Sequence, residues 1–270
     1  MISFIFIVFA QFFCTHAGTL PPIQQAEEAL VISLLQGYNK FIRPENTVSV
    51  RITTEIRQIV SIDEKQQIMT SSSFISQAWR DERLSWTPSP SNFDISVLMI
   101  PVKSIWIPDT MVLNSADSSG YFTISDYALA SVNWFGEVYM ILPALAIKTR
   151  CNLYVQRFPF DAQMCSIDLT SWSQGSDRIV YTENGSFTFD ASVYIQHPLW
   201  KLNRIEMTAS SATDRVPFDD DKNDIISIEF YLKRKPLFFM VNGIFACLVL
   251  NFVTLLSFAL PFGVQIGLCS

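Results

Sequence analysis

The hydrophobic pattern changes along the chain, and each change predicts a different kind of element. Residues Pro22–Leu35 place apolar side chains at helical spacing and predict one short helix. From Thr47 onward apolar and polar side chains alternate, which predicts a long half-buried strand with one face formed by Val48, Val50, Ile52, Ile56, Val60 and Ile62. A polar turn at residues 63–65 and a return strand through residues 68–86 complete a predicted hairpin.

The remainder of the chain predicts an all-β fold. Short strand-like runs broken by proline and glycine follow residue 88, with the spacing typical of a sandwich or barrel, and no helical period occurs between residues 37 and 235. The last predicted strand alternates Ile226, Ile228, Phe230 and Leu232 with polar residues and leads into a long apolar run. The predicted fold is an immunoglobulin-like β-sandwich with a short N-terminal helix, followed by one transmembrane α-helix.

Both ends of the chain are apolar, which indicates the secretory route. Residues 1–17 are typical of a signal peptide that ends at the small residue Ala17, and the alternative is a buried amphipathic start to a soluble domain. Residues 237–262 contain no charge and can span a bilayer. We therefore expect a signal peptide at 1–17, an extracellular domain at 18–235, a membrane helix at 236–262 and a short tail at 263–270.

Composition and charge exclude several classes of function. The net charge of −6 is spread over 270 residues without a basic cluster, so a nucleic-acid partner is not expected. Enzyme signatures are absent, and His16 and His197 are the only histidines, so we predict no enzyme activity, no cofactor and no metal site. Asp219, Asp220 and Asp221 with Asp224 are interpreted as a solvated acidic loop, with a weak divalent-cation site as the alternative.

Two of the five cysteines are candidates for a disulfide. Cys14 would leave with the signal peptide, and Cys247 and Cys269 lie in or beside the apolar run, whereas Cys151 and Cys165 lie in polar sequence. In an oxidising compartment these two thiols would pair, and a closed loop of this size stabilises a fold by about 3 kcal/mol. The single sequon, at Asn184, is compatible with an extracellular glycan.

The loop between the two cysteines has an apolar tip. Its middle reads Phe158, Pro159, Phe160 and Asp161. Exposed phenylalanines are costly in water unless they meet a partner surface or a membrane, so we expect this tip to contact another part of the molecule or the bilayer.

This loop resembles the signature of the Cys-loop receptors, which are pentameric ligand-gated ion channels. Supporting motifs occur in family order: WRDERLSW at 79–86, WIPD at 106–109, TSW at 170–172 and RKPL at 234–237. The resemblance covers nearly the whole mature chain. Within the family the chain is most similar to the cation-selective branch, and to the serotonin type-3 group in particular, through IDEK at 62–65, the TSW triplet and KPLF at 235–238.

The resemblance implies a ligand site between neighbouring subunits. An ammonium ligand would be held by aromatic side chains through cation–π interactions of about 0.5–2 kcal/mol each. Trp172 matches the principal-face tryptophan and Phe74 the complementary-face aromatic, although Trp172 has the alternative of packing in the core. Asn114 stands where an aromatic or acidic residue is expected, and Phe218 is the only aromatic of the loop before the last strand. The other motif tryptophans, Trp79, Trp86 and Trp106, are expected in the core.

The incomplete aromatic box implies either a ligand other than serotonin or an accessory subunit. Phe158, Pro159, Phe160, Asp161 and Arg234 would couple ligand binding to the membrane domain. The expected partners are a small amine neurotransmitter, other subunits of a pentamer and membrane lipid, at the plasma membrane of a synapse.

Family subunits have four membrane helices, whereas this chain reaches Ser270 directly after its first predicted span. We therefore expect a receptor subunit truncated before the pore-lining helix, either as a truncated product, as an incomplete gene model or as a fragment. The alternative is a membrane-tethered, non-conducting binding or regulatory subunit that assembles with full-length channel subunits.

Overall fold

The computed structural model describes residues 21–183, 193–212 and 223–259. The described residues form a helix α1 (Pro22–Leu35), ten strands and a C-terminal apolar helix. The strands are β1 Val48–Asp63, β2 Ile68–Arg80, β3 Val97–Pro101, β4 Thr110–Val112, β5 Leu129–Asn133, β6 Glu137–Arg150, β7 Ala162–Ser171, β8 Ile179–Glu183, β9 Trp200–Ala212 and β10 Asn223–Arg234. The predicted signal peptide, Asn184, Phe218, the acidic residues 219–221 and the tail at 263–270 lie outside the described residues.

The strands build two sheets. One has the strand order β3-β5-β6-β2-β1-β8, and the other has the order β4-β7-β10-β9. All neighbours in the second sheet run antiparallel. The only helices between α1 and the C-terminal helix in the described part of the chain are three short 3₁₀ turns, Glu82–Leu84, Pro90–Asn92 and Val102–Ser104. The all-β prediction is therefore confirmed.

The chain divides into two compact units. The first comprises the residues up to Val48, with Ala78–Ile107 and Ser125–Met140. In it α1 lies near β3 and the first two 3₁₀ turns, although none of its own side chains is buried. The predicted helix bounds are confirmed. The core of this unit is formed by Trp79, Leu84, Leu98, Ile100, Ala130, Val132 and Val138.

The second unit comprises Ser49–Gln77, Pro108–Ile124 and the chain from Ile141 onward. Its strand β10 pairs with β7 and β9, and β8 of the other sheet lies close to β9 and β10, which makes this unit a β-sandwich. The predicted inward face of β10 is confirmed, because Ile226, Ile228, Phe230 and Leu232 are at most 1% exposed.

Two predictions of burial are wrong. On β1 the alternation shifts after Ile56, so that Ile59 is buried and Val60 is 45% exposed. The shift occurs where the Arg57 carbonyl accepts a hydrogen bond from the Ile195 amide and Gln58 bridges to Ile195. Of the motif tryptophans only Trp79 is buried, whereas Trp86 and Trp106 are half-buried.

The C-terminal helix is apolar and continuous. It begins with α2 (Leu237–Phe239), continues through a π-helical turn (Met240–Phe245) and ends with α3 (Ala246–Ala259). Residues Leu237–Phe258 are 22 in number and are not buried in the chain. A helix of that length extends about 33 Å, enough for the bilayer's hydrocarbon core of about 30 Å.

Candidate functional site

Trp172 follows directly after β7 and is 54% exposed. Asp109 fixes the backbone on both sides of it. The Asp109 carboxylate accepts hydrogen bonds from the Ser171 hydroxyl and from the amide and hydroxyl of Ser173, the last two at 2.8 and 2.6 Å. Trp172 therefore does not fill the core of this chain, and a carboxylate lies beside its backbone.

A buried pair of hydroxyl groups lies at the same end of the second sheet. Thr110 on β4 pairs with Ser171 in the β4–β7 register, and its hydroxyl lies 2.8 Å from that of Tyr181 on β8. Burial raises the pKa of Tyr181 well above its usual value. The hydrogen bond with Thr110 acts in the opposite direction, but its effect is smaller than that of burial. The phenol is therefore neutral, and its hydrogen bond with Thr110 links β4 to β8.

Phe74 lies on β2 and is half-buried. The guanidinium carbon of Arg57 on β1 lies 4.9 Å from the centroid of its ring. Glu55 lies two residues earlier on the same strand, with its Oε1 3.1 Å from Arg57 Nη2. The predicted complementary-face aromatic thus has a cation of its own chain over its ring, while Trp172 follows a strand of the other sheet.

Asn114 is engaged in strand-to-strand hydrogen bonds. Its Nδ2 donates to the Ser166 carbonyl at 3.0 Å, and its Oδ1 accepts from the Asp168 amide at 3.2 Å. Ser166 and Asp168 lie on either side of Ile167, five residues before Trp172, so Asn114 lies about 17 Å along the strand direction from Trp172. The structure does not bring these two predicted ligand residues together.

The predicted disulfide between Cys151 and Cys165 is present, with a Cα–Cα distance of 5.0 Å. At the tip of the loop, Phe158 and Phe160 are 47% and 60% exposed, whereas Pro159 is buried. The Phe158–Pro159 peptide bond is cis. The loop therefore presents two aromatic side chains outward, as its sequence predicts.

Arg234, the last residue of β10, forms a buried ion pair with Asp161. Its Nε and Nη2 donate to the two carboxylate oxygens at 2.7 and 3.0 Å, and both side chains are at most 2% exposed. Gln163 Nε2 donates to Asp161 Oδ2 at 2.6 Å, and Glu64 in the β1–β2 turn accepts from Arg234 Nη1. We call Arg234, Asp161, Glu64 and Gln163 the Arg234 cluster.

Hydrogen bonds within the Arg234 cluster shift the pKa values of Asp161 and Arg234. Burial alone would raise the pKa of Asp161, but the hydrogen bonds from Arg234 and Gln163 outweigh it and lower that pKa below its ordinary value. Burial likewise disfavours the charged form of Arg234, but its hydrogen bonds with Asp161 and Glu64 raise its pKa. Both members of the pair are therefore ionised.

Aromatic rings enclose the Arg234 guanidinium and connect it to the membrane helix. Its central carbon lies 5.0, 4.2 and 5.4 Å from the ring centroids of Phe158, Trp200 and Phe239. The rings of Phe158 and Phe239 meet edge to face at 4.9 Å. The loop tip thus contacts the first turn of the apolar helix.

The joint between β10 and the helix is also hydrogen-bonded. The Lys235 amide donates to the Leu199 carbonyl at 2.8 Å, and its Nζ donates to the His197 carbonyl at 2.9 Å. The His197 Nδ1 accepts from the amides of Leu199 and Trp200, both at 3.1 Å. The hydrogen bond to His197 therefore fixes the backbone of Trp200, the residue whose ring lies against the Arg234 guanidinium.

A buried polar network in the first unit was missed at the sequence level. The Asp81 carboxylate accepts from the Tyr38 hydroxyl at 2.7 Å and from Arg83 Nε and Nη2 at 2.9 and 2.8 Å. The Trp106 amide donates to the Tyr38 hydroxyl at 3.0 Å. The charged pair inside the motif at 79–86 was the available signal, but Tyr38 lies too far along the chain to be recognised as its partner.

Among residues 21–183, 193–212 and 223–259, no group of three or more His, Cys, Asp or Glu side chains is placed to hold a metal ion. The arrangement instead consists of an exposed indole, a closed disulfide loop and a buried ion pair next to an apolar helix. Together these features describe a disulfide-closed β domain that is joined directly to an apolar helix.

The comparison with known proteins identifies the family. Residues 27–236 match the model of the neurotransmitter-gated ion-channel ligand binding domain. The chain therefore belongs to this family, the Cys-loop receptors. It is a plasma-membrane protein with an extracellular β domain and one apolar helix that fits a membrane span.

The relatives that match include neuronal acetylcholine receptor subunits. The chain is 34% identical over 242 residues to subunit beta-4 of Gallus gallus, covering 87% of this chain and 49% of the relative. It is 33% identical over 257 residues to subunit beta-3 of Gallus gallus, covering 92% and 53%. The chain thus spans about half the length of these relatives, and the serotonin type-3 grouping is not confirmed.

Proposed function

We propose that the chain is a subunit of a cation-selective channel gated by a small amine that binds at a subunit interface. The observation that supports this most is the exposed Trp172 indole, which follows β7 between two residues that are hydrogen-bonded to Asp109. The face of this ring is accessible from outside the chain, as contact with a ligand requires. Its ring face attracts ammonium groups more strongly than other aromatic rings do.

The electrostatic setting supports a cationic ligand. Asp109 places a carboxylate beside the Trp172 backbone, and its hydrogen bonds from Ser173 hold the backbone next to Trp172 at a defined position. A backbone that is already ordered needs less ordering when the ligand binds, so more of the cation–π energy contributes to affinity. The other partners we propose are neighbouring subunits in a pentamer and membrane lipid around Leu237–Phe258.

The Arg234 cluster supports coupling between the ligand site and the membrane. β10 ends at Arg234, and the contact of Phe158 with Phe239 connects the disulfide loop to the helix. A shift of β10 therefore has to break or carry along these contacts. We propose that Phe158, Pro159, Phe160, Asp161 and Arg234 transmit ligand binding to the membrane domain.

The experiment is acetylcholine binding to assemblies of this chain with a full-length neuronal acetylcholine receptor subunit. Trp172→Ala is expected to weaken binding by about 2- to 30-fold, the equivalent of one cation–π contact, and Trp172→Phe by less. Trp134→Ala is the matched control, because Trp134 is similarly exposed, at 47%, but lies in the β5–β6 turn. Equal affinities for Trp172→Ala and wild type, with assembly intact, would contradict the proposal.

A non-conducting regulatory subunit is the second candidate. The Arg57 guanidinium over Phe74 favours such an accessory role, because one of the two aromatic rings that the resemblance implies for ligand binding already has a cation over it. Whole-cell recording distinguishes the candidates. A conducting subunit changes the acetylcholine-evoked current and its ion selectivity, whereas a regulatory one changes only ligand sensitivity or the number of receptors at the surface.

A further inference from the structure

Arg57 and Phe74 form a fixed cation–π pair on neighbouring strands of one sheet. The guanidinium carbon lies 4.9 Å from the ring centroid, within the range of about 6 Å in which a cation is attracted to an aromatic face. Residues two apart on a strand share a face, so Glu55 projects from β1 on the same side as Arg57. Its Oε1 lies 3.1 Å from Arg57 Nη2 and holds the guanidinium in place.

The guanidinium is partly removed from water. Arg57 Nε is buried without a hydrogen-bond partner, although the Arg57 side chain as a whole is 38% exposed. A cation that has lost hydration on one side interacts more strongly with an aromatic face. The Arg57 backbone is also held, because its carbonyl accepts a hydrogen bond from the Ile195 amide at 2.8 Å.

Trp172 differs from Phe74 in this respect. In the described part of the chain no arginine or lysine lies over the Trp172 indole, whereas the Phe74 ring has the Arg57 guanidinium over it. A ligand ammonium brought to the Phe74 ring would meet a like charge within a few ångströms. Both electrostatic repulsion and the loss of the existing contact oppose its binding there.

We propose that Arg57 is a specificity-determining residue that occupies the Phe74 ring and prevents this face from binding an organic ammonium. The chain then takes part in amine binding through its Trp172 face alone. This inference rests on the proposed function, since it assigns different roles to the two aromatic faces of the same subunit.

The test measures acetylcholine affinity in assemblies of the full chain with a full-length neuronal acetylcholine receptor subunit. Phe74→Ala alone is expected to leave affinity unchanged within about twofold. Arg57→Met keeps the aliphatic part of the side chain and removes the charge, so it is expected to raise affinity by about 2- to 30-fold. Adding Phe74→Ala to Arg57→Met should abolish that gain, and Arg57→Lys, which keeps the charge, should produce little of it.

Two outcomes would overturn the proposal: a loss of more than threefold with Phe74→Ala alone, or no gain with Arg57→Met in a correctly assembled receptor. Loss of acetylcholine binding only with Trp172→Ala supports the proposed function independently. Absence of binding in every variant, wild type included, contradicts the proposed function instead.

A second measurement tests the Arg57 contact without a ligand. Phe74 is replaced by phenylalanines with one, two and three ring fluorines, which progressively weaken the negative potential of the ring face. The Tm of the chain is expected to fall stepwise with fluorine number when Arg57 is present and to stay constant in Arg57→Met. The same decrease in Tm with fluorine number in the presence of Arg57 and in Arg57→Met would show that the contact of Arg57 with the Phe74 ring does not stabilise the chain.

Discussion

Arg234 and Asp161 form two parallel charge-assisted hydrogen bonds, Nε to Oδ1 at 2.7 Å and Nη2 to Oδ2 at 3.0 Å, in a region from which water is excluded. Such bidentate pairs combine strength with a fixed geometry. The pair joins the end of β10 to the disulfide loop, so it determines how these two parts of the second unit are held together.

Removing one partner of this pair leaves an uncompensated buried charge. We expect Arg234→Met to lower the free energy of unfolding by about 3–5 kcal/mol in denaturant titrations of the detergent-solubilised chain. Arg178→Met is the control, because Arg178 pairs with Asp177 at the surface, where ion pairs contribute about 0–1 kcal/mol. Similar losses for the two variants would show that the Arg234–Asp161 pair is not important for stability.

The disulfide should stabilise the chain by restricting the unfolded state, to an extent that depends on the length of the closed loop. Cys151 and Cys165 are 14 positions apart in the sequence, so the double change Cys151→Ser and Cys165→Ser is expected to lower the free energy of unfolding by about 3 kcal/mol. Cys247→Ser provides the control, since Cys247 is a free cysteine exposed on the apolar helix. Denaturant midpoints measured with and without reductant check this expectation, and a midpoint that reductant leaves unchanged would contradict it.

Alanine substitutions at two glycines with positive φ measure two effects on stability separately: the unfavourable backbone conformation and a steric clash of the added Cβ. Gly37 has φ +76° and open space where an added Cβ would lie, so Gly37→Ala should cost about 1–2 kcal/mol. Gly136 has φ +83°, and a Cβ there would lie 2.5 Å from the Asp81 carbonyl oxygen, which should add about 1–3 kcal/mol. Thermal unfolding of both alanine variants measures the difference, and equal Tm losses would refute the clash.

His197 predicts a pH dependence of stability. Burial, followed by the nearby Lys235 charge, lowers the pKa of His197 below its ordinary value of 6.5. The unfolded chain therefore binds this proton more readily than the folded chain, so stability is full above about pH 6.5, falls as the pH drops from there towards the lowered folded pKa, and levels off below it. Protonation of Nδ1 would also break its hydrogen bonds with the amides of Leu199 and Trp200.

His197→Asn removes the titrating group but keeps a side-chain acceptor. Its free energy of unfolding should change less between pH 7 and pH 5 than that of wild type. His16 is the only other histidine in the sequence, which simplifies the assignment. Identical pH profiles for the variant and wild type would mean that another group is responsible.

The sequence predicted the features that depend on local pattern. Pro22–Leu35 is a helix because its apolar spacing and opening proline are local signals, and the inward face of β10 follows from strict alternation. The disulfide followed from the polar surroundings of Cys151 and Cys165. Each of these signals lies within a few residues of the element it specifies.

Features that depend on strand register were not predictable in the same way. Arg57 lies over Phe74 because of how β1 aligns with β2, and Asn114 bonds to Ser166 because of how the chain after β4 aligns with β7. The burial of Ile59 in place of Val60 depends on a bridge to Ile195, more than a hundred residues away in sequence. Side-chain alternation determines the face of a strand but not which neighbour each side chain meets.

Only Lys235 and Pro236 separate the end of β10 from the first residue of the apolar helix, and the backbone of Lys235 is hydrogen-bonded to Leu199. A joint this short has no spare residue to absorb torsion, so a twist of the strand about its long axis must reach the helix. One inserted residue would turn every helical side chain by about 100° around the helix axis. The angular setting of the membrane helix is therefore fixed by the last residue of the sheet.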